Sequence, residues 1–262
     1  MPVAEVRGAR IAYDDTGGDG PPVILAHGFL MDREMFAPQV EALRDTHRVI
    51  TWDERGFGET EYDDAPFTYW DSAADCLGLL DHLGIDRAVV GGMSQGGFVS
   101  LRVALTAPER VRALVLLDTQ AGTEDQEVVP LYQGMLDDWA ANGVSDELAA
   151  TVAAIILGEP TIDAAYTAKW KARPAAHVRT PGQTLLTRDS VEDRLGEIAA
   201  PAVVVHGTAD AAVSADKVER LAAGLSGCDG VVWIDGGTHS ANLTHPDEVN
   251  AALTTFLASL PA

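Results

Sequence analysis

Residues 3 to 15 alternate apolar and polar positions and run into the turn cluster Asp14-Asp15-Thr16-Gly17-Gly18, a pattern that predicts an antiparallel edge hairpin closed by that cluster. The pattern then changes to short, continuous apolar runs. Val23-Ile24-Leu25-Ala26, Arg48 to Trp52, Ala88 to Val90, Val111 to Leu117, Ala202 to His206 and Val231 to Ile234 are each too short for a buried helix and predict strands covered on both faces. Apolar residues at helical spacing separate them. One helix follows Asp32, an N-cap residue type, through Met35, Phe36, Val40 and Leu43. Others are predicted from Tyr69 to Leu83 with Gly84 as the stop, from Phe98 to Leu105 ahead of Pro108, from Ser214 to Leu225 and from Pro246 to Leu260. Strands alternating with helices imply α/β class and a mostly parallel sheet flanked by helices.

The alternation pauses between Thr119 and Leu195, where helical stretches carry Tyr132, Met135, Leu136, Trp139, Ile155, Ile156, Tyr166 and Trp170. This stretch reads as a helical insertion, 119–195, in a core made of 1–118 and 196–262. At 262 residues and 47% hydrophobic content the chain can bury one large core, so a single α/β domain with an insertion is preferred to two full domains. A net charge of −22, from 40 acidic and 18 basic residues, repels phosphate backbones and anionic lipid, so nucleic acid and membrane surfaces are not expected partners. Cys76 and Cys228 are the only cysteines, too few for a disulfide framework and not spaced as metal ligands. Without an apolar leader or a membrane-length run, the expected location is cytoplasmic.

The candidate chemistry lies at the strand ends, where open parallel sheets place their crevices. Gly92-Met93-Ser94-Gln95-Gly96 fits the G-x-S-x-G elbow, in which a strand feeds a helix through a turn sharp enough to lift the serine hydroxyl clear of the backbone. Alone it is a weak pattern, and at this glycine and serine content a chance match is roughly a one-in-ten event. The flanking strand ends add what a serine nucleophile needs. A hydroxyl requires a base, here His239 in Gly236-Gly237-Thr238-His239, and the base requires an anion to set its tautomer, here Asp210 in Gly207-Thr208-Ala209-Asp210. Asp118, also just past a strand, is the alternative acid.

With His27-Gly28-Phe29 and Asp53-Glu54-Arg55-Gly56-Phe57-Gly58, these motifs stand in the order Ser, Asp, His, and nearly the whole chain resembles the α/β-hydrolase fold family. Its resemblance is to the branch of small esterases, enol-lactonases, C–C hydrolases and cofactor-free haloperoxidases. That implies an eight-stranded-type, mostly parallel sheet, an oxyanion hole from the main-chain N–H groups of Phe29 and Gln95, and a cap formed by the insertion. His27 would position the oxyanion loop, and no cofactor or metal is implied. Relatives that form alkyl-enzymes carry aspartate where this chain has Ser94, so acyl transfer is favoured. The expected activity is hydrolysis of a small-molecule carboxylic ester or lactone with an apolar or aromatic acyl part, with Tyr132, Met135, Trp139 and Trp170 as candidate lining residues. Cleavage of a C–C bond, or use of peroxide as acyl acceptor, would employ the same triad. A ligand receptor on a hydrolase scaffold is the non-enzymatic alternative, and it predicts binding without product.

Overall fold

The computed structural model describes residues 2–261. The alternating N-terminal stretch folds into β1 (Val3–Val6) and β2 (Ala9–Asp15), paired antiparallel with Val6 opposite Ala9. Its turn is Arg7-Gly8, both at positive φ as a two-residue hairpin turn requires, and not the expected cluster at 14–18. That cluster instead leads into β3 (Pro22–Ala26), with the Asp15 side chain accepting from Gly17 N at 2.8 Å. A single 3₁₀ turn at Arg33–Phe36, capped by Asp32, precedes α1 (Ala37–Leu43), because Pro38 can open a helix but cannot donate within one.

After β4 (Arg48–Trp52) come α2 (Tyr69–His82), β5 (Ala88–Met93), α3 (Gln95–Thr106) and β6 (Val111–Leu117). Thr68 and Asp71 form a reciprocal capping box at the start of α2, and Gly84 sits at φ +65° just past its end. No strand lies between β6 and the next, among the described residues; that stretch holds α4 (Val129–Asn142), α5 (Asp146–Ile156), α6 (Pro160–Ala172) and α7 (Arg179–Leu186). The sheet resumes with β7 (Ala202–Gly207), α8 (Ala215–Gly224) and β8 (Cys228–Ile234), and the chain ends with α9 (Ala241–Thr244) and α10 (Pro246–Ser259). β8 starts three residues before the apolar run. It pairs only with β7, and its polar start at Cys228-Asp229-Gly230 is tolerated because an edge strand has a free side.

The eight strands form one sheet in the order β1-β2-β4-β3-β5-β6-β7-β8, parallel from β4 to β8. Period-two burial sorts its side chains to two faces. Ile24, Val90, Leu114 and Val204 pack with α2, α3 and α8, whereas Val23, Val89, Val115 and Val203 pack with α1 and α10. Each fully buried aliphatic side chain of this kind contributes about 1.5–3 kcal/mol, so both faces hold the strand ends in fixed register. No helix among the described residues is long and apolar enough to cross a membrane.

The four helices between β6 and β7 are tied over the carboxyl ends of the strands. Trp170 Nε1 donates to Leu30 O at 2.7 Å, and Lys169 pairs with Asp32 at 2.6 Å and Glu34 at 2.7 Å. On the opposite side Thr238 and Ser240 donate to Leu157 O and Ile156 O at 2.6 and 2.8 Å.

Candidate active site

Ser94 closes β5 and precedes α3 at φ +50°, ψ −110°, a conformation that a residue with a Cβ rarely adopts. The bend is anchored at both main-chain groups. Ser94 N donates to Leu117 O at 2.8 Å, and Ser94 O accepts from Thr119 Oγ1 at 2.7 Å. The elbow glycines are required by close approach: a Cβ on Gly96 would lie 1.9 Å from Ala26 O, and one on Gly92 would lie 2.5 Å from it.

Asp210 and His239 meet across the ends of β7 and β8. His239 Nδ1 donates to Asp210 Oδ2 at 2.8 Å, while Asp210 Oδ1 accepts from Ala212 N at 2.7 Å and Val213 N at 2.9 Å. Burial works to raise the Asp210 carboxyl, but the His239 charge and these bonds outweigh it and hold it below the usual range. For His239 burial works downward, and the charge and hydrogen bond of Asp210 overcome it, so the imidazole stands above its ordinary value. The Asp210 bond engages Nδ1 and leaves Nε2 as the other ring nitrogen of a side chain that lines the cavity.

Asp118 is buried and spent on structure. Its Oδ1 accepts from Gly207 N at 2.9 Å and its Oδ2 from Ala241 N at 3.2 Å, strapping the loops that carry Asp210 and His239 to the end of β6. Burial first, and then the Asp210 charge, push the Asp118 carboxyl well above the carboxylate range. His206, also buried, lies 3.4 Å from Asp118 and 3.6 Å from Asp210. These three could in principle surround a cation, but each carboxylate oxygen already receives an N–H, so the cluster is built for donors.

The main-chain N–H groups of Phe29 and Gln95 make no hydrogen bond among the described residues. The loop carrying Phe29 is set by His27, whose Nε2 accepts from Glu54 N at 3.0 Å; this leaves the proton on Nδ1, which donates to Gly28 O at 2.7 Å. Behind Gln95, Tyr69 Oη donates to Gln95 Oε1 at 3.0 Å. Glu54 lies in the same buried layer beside the Gln95 amide and the Ser72 hydroxyl, and burial outweighs these neighbours and pushes it up to about 8. The neighbouring loop is locked by ion pairs: Asp53 to Arg33 at 2.5 Å and Asp75 to Arg55 at 2.5 Å.

Ser94 and His239 open onto one cavity with predominantly apolar walls. Three of the four expected lining residues, Tyr132, Met135 and Trp139, line it. Trp170 does not. It packs behind Trp139 with ring centroids 5.9 Å apart and borders a separate, smaller hollow, because its N–H is drawn to Leu30 O. The sequence reading missed Phe98 and Met93, hidden among core positions flanking the elbow, and Glu124, one acid in the polar run Thr123-Glu124-Asp125-Gln126-Glu127.

A strained serine, a carboxylate-bound histidine and free main-chain donors at the carboxyl ends of a parallel sheet define a hydrolase. The family model described as "alpha/beta hydrolase fold" matches residues 21–246, and the chain belongs to that family. Among solved structures it is similar to the enol-lactonase from Burkholderia xenovorans LB400, at 27% identity and TM-score 0.90, covering 98% of this chain and 100% of that one. It is equally similar to a thermophilic esterase from Thermogutta terrifontis, at 26% identity and TM-score 0.90, covering 98% of each chain. A curated relative from Synechocystis sp., provisionally named a non-heme chloroperoxidase, is 29% identical over 94% of each chain.

Proposed function

We propose that this chain is a serine hydrolase that cleaves a small-molecule carboxylic ester or lactone with an apolar or aromatic acyl part. The observation that carries the reading is the Asp210–His239 hydrogen bond at 2.8 Å, made at the rim of the cavity that Ser94 also lines. His239 takes the Ser94 proton as Oγ attacks the carbonyl, and Asp210 steadies the resulting imidazolium. The tetrahedral oxyanion is received by Phe29 N–H and Gln95 N–H, each such donor commonly being worth about 3–4 kcal/mol in the transition state. His239 then protonates the leaving alkoxide, and a water that it deprotonates releases the acid. Asp118 holds the loops, and the helical segment 119–195 acts as the cap that supplies the acyl pocket. Two unpaired cysteines suit a cytoplasmic location.

Ser94→Ala is expected to abolish hydrolysis of an activated ester, a loss of at least about 10³-fold in kcat, with unchanged circular dichroism. Stoichiometric labelling of the parent by a fluorophosphonate, absent in the variant, is the matching chemical result. Full activity in Ser94→Ala would remove the nucleophile from the proposal, and ligand-induced stabilisation without product or labelling would favour a receptor. The chloroperoxidase name of one relative makes peroxide the second acyl acceptor to try, read as peracid formed from the same acyl-enzyme.

A further inference from the structure

The acyl cavity contains a charged side chain to which the proposed reaction assigns no step. Glu124, from the loop between β6 and α4, lines the cavity together with Ser94, His239 and Phe98, and its side chain is only 13% exposed. Its Oε1 lies 2.8 Å from Arg188 Nη1. Arg188 is withheld from the cavity. Its guanidinium stacks over the Phe98 ring at 4.4 Å, its Nε and Nη1 donate to Gly122 O and Leu185 O at 3.0 and 2.9 Å, and its side chain is 1% exposed. The pair is therefore oriented, with the cation behind an aromatic wall and the acid facing the substrate space. No donor among the described residues reaches the second carboxylate oxygen, Oε2. The charge is felt across the cavity: burial is the main reason the Tyr132 hydroxyl stands above its usual range, and Glu124 is the next.

We propose that Glu124, oriented by Arg188, is a specificity-determining residue that selects neutral acyl chains bearing an O–H or N–H donor and rejects acyl chains that end in a carboxylate. The inference rests on the ester-hydrolase reading and names its substrate class. A plain alkyl chain long enough to cover Oε2 strips it of water and leaves a buried acceptor unpaired. A hydroxyl or amide on that chain restores the hydrogen bond, and one made to a charged acceptor is the stronger kind. A second carboxylate meets like charge in a low-dielectric pocket whose lining, among the described residues, holds no Lys or Arg and whose imidazole, His239, is already paired with Asp210.

The test uses methyl esters of straight acyl chains of graded length in three series: unsubstituted, ω-hydroxy and ω-carboxy. Binding to the intact Ser94→Ala protein is read by titration calorimetry, and kcat/KM is measured on the parent enzyme. At the best length the hydroxy series is expected to bind at least about fivefold more tightly than the unsubstituted one, and the carboxy series at least about tenfold more weakly. Glu124→Gln should reduce the carboxylate penalty below about threefold. Because that variant leaves Arg188 buried without its partner, Glu124→Leu with Arg188→Met provides the uncharged control, which should rank the three series by hydrophobicity alone. Equal binding of hydroxy and carboxy esters by the Ser94→Ala protein would overturn the inference, whether or not the pocket variants fold. So would a folded double variant that keeps the original ranking. The expected ranking in binding without any turnover by the parent would sink the hydrolase reading alone, and no binding by any series would sink both.

Discussion

Glu54 shows at the scale of one residue how the neighbourhood of a site is built at a cost to stability. It follows Asp53, whose carboxylate is tied to Arg33, and its backbone N–H holds His27, yet its own carboxyl is buried with only the Gln95 amide and the Ser72 hydroxyl to offset the lost water. Burial raises it from 4.5 to about 8. Between those values the unfolded chain gives up the Glu54 proton while the folded chain keeps it, so folded stability falls as pH rises through the window and levels off above it. Glu54→Gln keeps the shape and removes the titration. The variant is therefore expected to gain on the parent as pH rises from about 5 to about 9, by on the order of 4 kcal/mol if the whole shift is realised, as read by urea unfolding at the two ends. A constant difference between the two proteins across that range would show that the carboxyl is solvated.

At the scale of the element, the β5–α3 elbow sets the tolerance of the site. α3 starts so close to β3 that a Cβ on Gly96 would overlap Ala26 O, a main-chain atom held in the sheet register between β4 and β5. A flexible side chain could move aside, but this backbone cannot. Gly96→Ala is expected to cost about 3 kcal/mol or more in thermal or urea unfolding and to move Gln95 N–H out of line. Gly134→Ala is the internal control, since a Cβ there meets nothing within 4 Å, and its stability should be unchanged or slightly higher. This element was legible in the chain because its chemistry is local: glycine, serine and glycine at fixed offsets between an apolar strand and a helix. Asp210 and His239 stand out as candidates for the same reason, each placed a few residues past its own strand, and the fold brings the two side chains together. The hairpin turn at Arg7-Gly8 was passed over because the apolar-polar alternation runs on through it, and the Asp14–Gly18 cluster offered a stronger turn signal.

At the scale of the whole molecule, charge is the dominant departure from the ordinary. A net charge of −22 on 262 residues makes the folded state repel itself, and only part of that is relieved by pairs such as Arg33 with Asp14, Asp53 and Glu59. Raising salt from about 10 to about 100 mM shortens the screening length from roughly 30 to about 10 Å. The melting temperature is expected to rise by a few degrees over that interval in a scanning calorimeter. A fall would mean that the ion pairs tying Lys169 to Asp32 and Glu34 outweigh the general repulsion.

The sequence by itself determined the class of fold and the order of the strands along the chain, and it singled out Ser94, Asp210 and His239 as candidates, because periodicity and strand-end motifs are properties of neighbouring residues. Tertiary structure decided what depends on residues far apart. It gave Asp210 the bond to His239 and Asp118 the two backbone N–H groups, a choice made by how β6, β7 and β8 lie side by side. It turned Trp170 away from the cavity and brought Glu124 to its wall with Arg188 behind Phe98, across 64 positions of chain. An acid in a polar loop looks the same in sequence whether it faces water or substrate, and only the packing of the helices over the sheet distinguishes the two.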